Sequence, residues 1–257
     1  MFTTIDIRSE EKKGEVQRSS GTVMLILFAL FLVSAENNSF GQETFKINSS
    51  SAVYDIVVDI DRCDENQKQF SLCAGAGRVS IYRKNSTSPF QVLSLKNIEV
   101  QKDQVAYNPE INKNARRLYD DEYSLIFGDF NFDTNEDLAV CNGREGGYGA
   151  PSYSVFLYDP KSRKFIENVS LSRLTEGYLG LFFADSKKRQ LVAYSKSGCC
   201  YHDTEVYRVI QNKPVLTEKK IEEASGDDAH GYIVKVTTRK LVNGRWVKRV
   251  RRQKLKG

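Results

Sequence analysis

The chain has 257 residues, a size that holds one or two domains. It is 40% hydrophobic, with 14 Phe and 13 Tyr available to bury, which excludes disorder over the whole chain. A formal net charge of +5 is too small to point to nucleic acid by itself, and only two histidines, His202 and His230, exclude a multi-histidine metal centre.

The first element is an unbroken apolar run, VMLILFALFLV, from Val23 to Val33. It is shorter than the roughly 20 apolar residues that a membrane-spanning helix needs. It matches the apolar core of a secretory signal peptide, with cleavage expected after Ala35 or after Gly41. No cysteine follows the run directly, which argues against a lipid anchor. Residues 1–41 therefore read as a signal segment and 42–257 as one domain, periplasmic or otherwise exported, with no stable membrane insertion once the signal is removed. The stretch before the run mixes Arg8, Lys12, Lys13 and Arg18 with Asp6, Glu10, Glu11 and Glu15, so it is longer and less basic than a usual signal.

Export gives the five cysteines meaning, because exported chains meet oxidising conditions. Cys63 and Cys73 flank a polar stretch able to turn between strands, and a local disulfide is expected there. Cys199 and Cys200 are adjacent. They form either a vicinal disulfide or a pairing of one of them with Cys141, and the odd count leaves at least one thiol over.

From Val53 onward there is no convincing amphipathic helix. Short runs rich in Val, Ile, Tyr and Phe alternate with turn residues, the pattern of an all-β protein. The hairpins come in pairs. IVVDIDRCDENQKQFSLCAG precedes RVSIYRKNSTSPFQVLSL. LIFGDFNFDTNEDLAVCNG precedes SVFLYDPKSRKFIENVSL. LFFADSKKRQLVAYSKSG precedes EVYRVIQNKPVLTEKK. Each pair makes about four strands in about 40 residues, the size of a propeller blade. A last hairpin, YIVKVTTRKLVNGRWVKRV, turns at Asn243-Gly244 and is expected to complete a ring by pairing with the first strands. The expected fold is thus an all-β, propeller-like domain of three to four blades. A β-sandwich is the alternative. Residues 96–122 are polar and stay unassigned.

One motif carries clear chemistry. Asp129, Asn131, Asp133, Asn135 and Asp137 place oxygen-bearing side chains at alternate positions of a turn between two strands. Calcium takes six to eight hard oxygen ligands, and a tight loop with alternate residues turned inward supplies them. Side chains of Asp129, Asn131, Asp133 and Asp137 are expected on the ion, with Asn135 offering its backbone carbonyl. Thr134 stands where such loops favour Gly. The sister turns, around Asp59-Ile60-Asp61 and Ala184-Asp185-Ser186, keep too few oxygens to bind metal alone.

Two loops read as contact surface. In NGREGGYGAPSY, from Asn142 to Tyr153, four glycines surround Tyr148, and a protruding tyrosine suits insertion into a partner's cleft. The second loop is Ser195-Lys-Ser-Gly-Cys-Cys-Tyr201-His202-Asp203. Cys200, His202 and Asp203 do not make a catalytic set, because neighbouring strand residues point to opposite faces and an oxidised cysteine has no thiolate. The chain is expected not to be an enzyme. From Arg239 to Lys256 the tail holds nine Lys or Arg and no acid. It reads first as a solvated strand face and second as attraction to an acidic protein partner.

Four pieces, GDFNFDTNEDLAV, NGREGGYGAPSYSVFLYD, LGLFFADSKKRQLVAYSKSGCCYH and VNGRWVK, carry a resemblance over roughly residues 50 to 252. The chain resembles bacterial periplasmic immunity proteins that inhibit lysozyme-like effectors delivered by type IV secretion. The resemblance implies a calcium-bearing β-propeller of five blades. It also implies inhibition of a lysozyme-like peptidoglycan hydrolase by surface loops; because an exported chain rarely meets nucleic acid, no nucleic-acid partner is expected. The residues expected at the partner are Tyr148, Tyr153, Ser197, Tyr201 and His202. A calcium-stabilised envelope-binding or adhesion module without inhibitory activity is the alternative function.

Overall fold

The computed structural model describes residues 42–47, 51–61, 63, 72–101, 106–107, 123–227 and 231–255. The signal segment read at residues 1–41 lies outside them. The described residues form three sheets, each a meander of strands that are neighbours in sequence. Sheet one contains β1 (Glu43–Ile47), β2 (Tyr54–Ile60), β3 (Leu72–Arg83) and β4 (Gln91–Gln101). Sheet two contains β5 (Ala106–Tyr107), β6 (Leu125–Gly128), β7 (Asp137–Gly143), β8 (Ser152–Asp159) and β9 (Lys164–Glu167). Sheet three contains β10 (Phe183–Asp185), β11 (Gln190–Ser197), β12 (Tyr201–Ile210), β13 (Lys213–Asp227), β14 (Gly231–Val242) and β15 (Arg245–Leu255). Pairing is antiparallel throughout, except that β5 runs parallel to β6.

The hairpins expected from the sequence all form, and the all-β class holds. Two details differ. The run ending in NVSL does not continue as strand: Asn168 caps a single helical turn, α1 (Val169–Ser172), by accepting the Leu171 N–H at 3.0 Å. An Asn at this position satisfies an amide that a helix start leaves without a partner, so the strand yields there. The last hairpin does turn at Asn243-Gly244, with Gly244 at φ +76°. It does not close a ring on the first strands. β14 pairs with β13, β15 pairs with β14, and among the described residues no sheet closes on itself.

The stacking of the sheets follows from the side-chain period of a strand. In β2, Tyr54, Ile56, Val58 and Ile60 are buried and alternate with half-buried residues, so one face of sheet one is covered. In sheet two, β6 and most of β7 and β8 are buried at every position. Their side chains divide by parity. Leu125, Phe127, Leu138, Val140 and Phe156 join the core with sheet one. Ile126, Ala139, Tyr153, Val155 and Leu157 join a second core with α1 and Leu191, Ala193 and Tyr207 of sheet three. Sheet two is the middle layer. Its continuous apolar runs are the signature of strands covered on both faces.

Polar contacts fix the register between layers. The Gln91 side chain donates to the Phe165 carbonyl at 2.9 Å and accepts the Phe165 N–H at 2.7 Å, carrying a backbone-like pair from sheet one to the edge of sheet two. Phe165 stacks edge-on against Tyr54 and Tyr158, with ring centroids 5.3 and 5.5 Å away. Gly77 sits where β3 bulges against β4, and on the β2 side a Cβ there would lie 2.3 Å from the Asp59 carbonyl oxygen. Cys63 and Cys73 are disulfide-bonded and buried at the same end of sheet one.

Truncating the middle layer is expected to be costly. Phe127→Ala should lower stability by about 3–5 kcal/mol in urea unfolding, since Phe127 is fully buried. Ile166→Ala, at a half-exposed edge position, should change it by no more than about 0.5–1 kcal/mol.

Candidate functional site

The turn between β6 and β7 holds the acidic motif, and its loop closes on its own amides. Asp129 accepts the N–H groups of Asp133 and Thr134 at 2.9 and 2.8 Å. Asp133 accepts the Asn135 N–H at 2.8 Å, and Asn131 accepts the Asp133 N–H at 3.1 Å. The Asn131 side-chain amide donates to Asp133 and to Asn212 of the β12–β13 turn, at 3.0 and 3.1 Å. Phe132 and Thr134 hold φ of +63° and +75°. A β-branched residue rarely adopts this conformation, so Thr134 performs the turn that Gly would make without strain.

Asp137 differs from the other four. It opens β7, is fully buried, and accepts the Phe130 and Tyr158 N–H groups at 2.8 and 2.9 Å. Burial pushes its carboxyl up to about 8; the two amides pull the other way, and the nearby Asp133 and Asp129 carboxylates add to the rise. A buried carboxylate beside two others is the electrostatic situation that a divalent cation relieves. The donor chemistry, all hard oxygen, fits calcium. Among the described residues, the three side chains of acid, His or Cys type whose ligand atoms lie within 4.8 Å of one another are Glu43, Cys63 and Cys73, and those cysteines are oxidised; the carboxylates of Asp129, Asp133 and Asp137 do not gather that closely. Beside the acidic turn a cleft of about 410 Å³ is lined by Tyr54, Arg83, Asp129, Asn135, Glu136 and Tyr158, among others.

The two loops read as contact surface come together. The glycine-rich loop between β7 and β8 is held by backbone bonds to residues 177–178, Gly147 N–H to the Tyr178 carbonyl at 2.7 Å and Gly177 N–H to the Glu145 carbonyl at 2.9 Å. A Cβ on Gly146 would meet the Ala150 and Tyr178 carbonyl oxygens at 2.5 and 2.8 Å, so this tight closure requires glycine. Tyr148 sits at the tip with φ +59° and is 66% exposed. Its hydroxyl accepts the Gly198 N–H, and the Lys196 ammonium lies 5.1 Å from its ring centroid. Tyr148 therefore leans on the β11–β12 hairpin while keeping most of its surface in solvent. That hairpin turns through Gly198, Cys199 and Cys200, with Ser197 opposite Tyr201 and Lys196 opposite His202. Cys199 and Cys200 form the vicinal disulfide, and Cys141 keeps a buried thiol that donates to the Gly143 carbonyl at 3.7 Å. Ser197 and His202 are exposed and Tyr201 is half-buried.

Tyr153 corrects the expectation placed on it. It is 1% exposed, packs in the second core, and donates its hydroxyl to the Tyr123 carbonyl at 2.9 Å. It supports the glycine-rich loop from below and does not face a partner. The reason is register: a bulge at Cys141–Gly143 sets the pairing of β7 with β8, and Tyr153 opposite Cys141 points inward.

Sequence reasoning missed a buried polar cluster behind the same hairpin. Asp203, Glu205 and Tyr207 alternate on the inner face of β12. Lys219 of β13 donates to Asp203 and Glu205 at 2.6 Å each. Tyr178 donates to Glu205 at 2.6 Å, and Tyr207 donates to the same carboxylate. Burial alone would raise the Glu205 carboxyl, but hydrogen bonds from Lys219, Tyr178 and Tyr207 hold it below the ordinary range. Burial raises the Tyr207 and Tyr178 hydroxyls, and bonding to Glu205 adds to it. The visible signal was the alternation Asp-Thr-Glu-Val-Tyr, which places two acids on the face that also carries an aromatic ring.

No protein-family model and no curated protein sequence matches the chain. A solved structure from Xanthomonas, described as a type IV secretion system related protein, superposes with a TM-score of 0.64 at 25% identity, over 84% of this chain and 96% of that one.

A group whose folded pKa is depressed stabilises the fold above its unfolded pKa and loses that contribution as pH falls through the folded value. Glu205→Gln should therefore lower stability at pH 7 by about 1–3 kcal/mol. It should also flatten the loss of stability on acidification below about pH 4.5, read by urea midpoints across a pH series.

Proposed function

We propose that this chain is an exported, immunity-type protein that inhibits a lysozyme-like peptidoglycan hydrolase. The observation that carries this reading is the meeting of Tyr148 with the vicinal-disulfide hairpin. It makes one exposed tip in which Tyr148 lies against Lys196, the cross-strand partner of His202, while Ser197 and the half-buried Tyr201 pair on the other face of the hairpin. A tip closed by glycine loops, a disulfide and backbone bonds loses little conformational entropy on binding. Its hydroxyls and imidazole are donors suited to the paired carboxylates that cleave glycosidic bonds. The type IV secretion context of the Xanthomonas protein supports the reading. The two disulfides fit an oxidising compartment. Among the described residues no helix is long and apolar enough to cross a membrane.

The same reading includes calcium at the β6–β7 turn, with Asp129, Asn131, Asp133 and Asp137 as side-chain ligands and Asn135 as a carbonyl ligand. Bound there, the ion neutralises the carboxylate charge and ties the first turn of sheet two. The face-to-face stacking of three meanders supports a propeller-like arrangement, with each sheet as a blade.

Titrating the full chain into a panel of peptidoglycan hydrolases, with cell-wall turbidity as readout, should give stoichiometric inhibition of one lysozyme-like class. Tyr148→Ala should weaken that inhibition at least about tenfold, or 1.4 kcal/mol. Because the lost Gly198 contact is worth about 1 kcal/mol, Tm should fall only about 2–4 °C. Wild-type potency in the variant would remove Tyr148 from the interface. Calcium at 100 times its Kd should stabilise the fold by about 2.7 kcal/mol, and Asp129→Ala should abolish the effect in thermal melts.

A further inference from the structure

We propose that the outer edge of β15 is a docking site for an acidic, extended segment of a partner protein, which adds to sheet three as a further strand. This goes beyond the inhibitory tip, which uses other residues.

Among the described residues, strand β15 ends the order of its sheet and pairs with β14 alone, along its whole length from Arg245 to Leu255. Its other side, among the described residues, is an open edge, with outward N–H and C=O groups that an extended chain can pair. Every side chain from Arg245 to Lys254 is exposed. Six of those ten residues are Lys or Arg and none is acidic. On β14, Lys235 is paired with Glu223 and Lys240 with Glu218, each at 2.7 Å. Among the described residues no ion pair of this kind reaches a β15 cation; Glu218 and Glu222 line the same cleft as Arg249 and Arg251, and each is itself paired with a lysine, Lys240 and Lys220.

The distribution of the charge identifies the occupant. Strand periodicity puts Lys248, Arg252 and Lys254 on one face and Arg245, Arg249 and Arg251 on the other. A flat anionic surface can meet only one of these faces. An extended acidic segment at the edge turns its own side chains alternately to both, and so reaches both sets. Trp246, Val247 and Val250 are 49%, 43% and 45% exposed and interleave with the cations, offering apolar contact along the same line. A second copy of this chain is disfavoured at the edge, because pairing β15 with itself would set cations opposite cations. The edge thus rejects its own kind and admits a strand of opposite charge.

Trp246 is the single tryptophan of the chain and lies on the proposed edge, so its fluorescence reports binding. The full chain would be titrated with an acidic peptide of about ten residues, a strand length, carrying Asp and Glu on both faces. The expected result is a saturable change in Trp246 emission that weakens with salt, together with slowed amide exchange in β15. The same peptide N-methylated at alternate residues cannot complete the ladder and should bind at least about tenfold more weakly. Arg249→Glu combined with Arg251→Glu, both exposed, should leave Tm unchanged and weaken binding at least about tenfold. Equal binding of the N-methylated peptide would overturn strand addition. Tighter binding of phosphatidylglycerol-rich vesicles or duplex DNA than of the peptide would overturn the choice of occupant. A dimer in sedimentation that the two Arg→Glu substitutions strengthen would assign the edge to a second copy instead.

Discussion

Burial of sheet two on both faces is the constraint on which the rest of the structure depends. Its central strands send alternate side chains into two different cores, Phe127 to one and Ile126 to the other. A slip of one residue would exchange the two sets and lose both cores together. Register is therefore strongly specified there, and the turns at the ends of these strands inherit that precision. The acidic turn lies at one end of β7 and the glycine-rich loop at the other.

That geometry explains how an exposed tip can be rigid. The glycine-rich loop does not hang free. Its backbone is bonded to residues 177–178, Leu179 is bonded to Tyr194 of β11, and Tyr153 anchors it from the second core. The β11–β12 hairpin is held from behind by the Asp203–Lys219–Glu205 cluster, in which one ammonium serves two carboxylates. Buried charges are costly unless paired and fully hydrogen-bonded. Here they bind β12 to β13 immediately beneath the vicinal disulfide. The fold thus stacks a rigid support under each loop of the proposed inhibitory surface.

The third sheet has a different character. Its first strands belong to the second core, whereas β15 is solvated along its length. A strand with no buried face contributes little to the core, and its composition answers to other demands. Cations on an open edge limit self-association, and the same cations set which foreign strand the edge accepts. The tip proposed for inhibition and the basic edge are thus two surfaces with unlike chemistry, one built from aromatic and hydroxyl groups and one from charge.

Local chemistry was legible in the residues themselves. Alternation of apolar side chains marked the hairpins, Asn243-Gly244 marked the last turn, and the spacing of Cys63 and Cys73 marked a local disulfide, whereas the adjacency of Cys199 and Cys200 left a vicinal bond and a bond to Cys141 both open. These features depend on near neighbours, so the backbone's own preferences and short reach decide them. What tertiary structure decided was which face each strand presents and to what. Tyr148 and Tyr153 lie five positions apart in one loop region, yet one is exposed and the other is core, because a bulge in the β7–β8 ladder sets the register. The partner of the last hairpin, the gathering of Asp203, Glu205 and Lys219, and the contact of Tyr148 with Gly198 across 50 residues of sequence all needed the sheets to be stacked first. Sequence periodicity carries the spacing of side chains along a strand, but only packing selects which side of that strand becomes the inside.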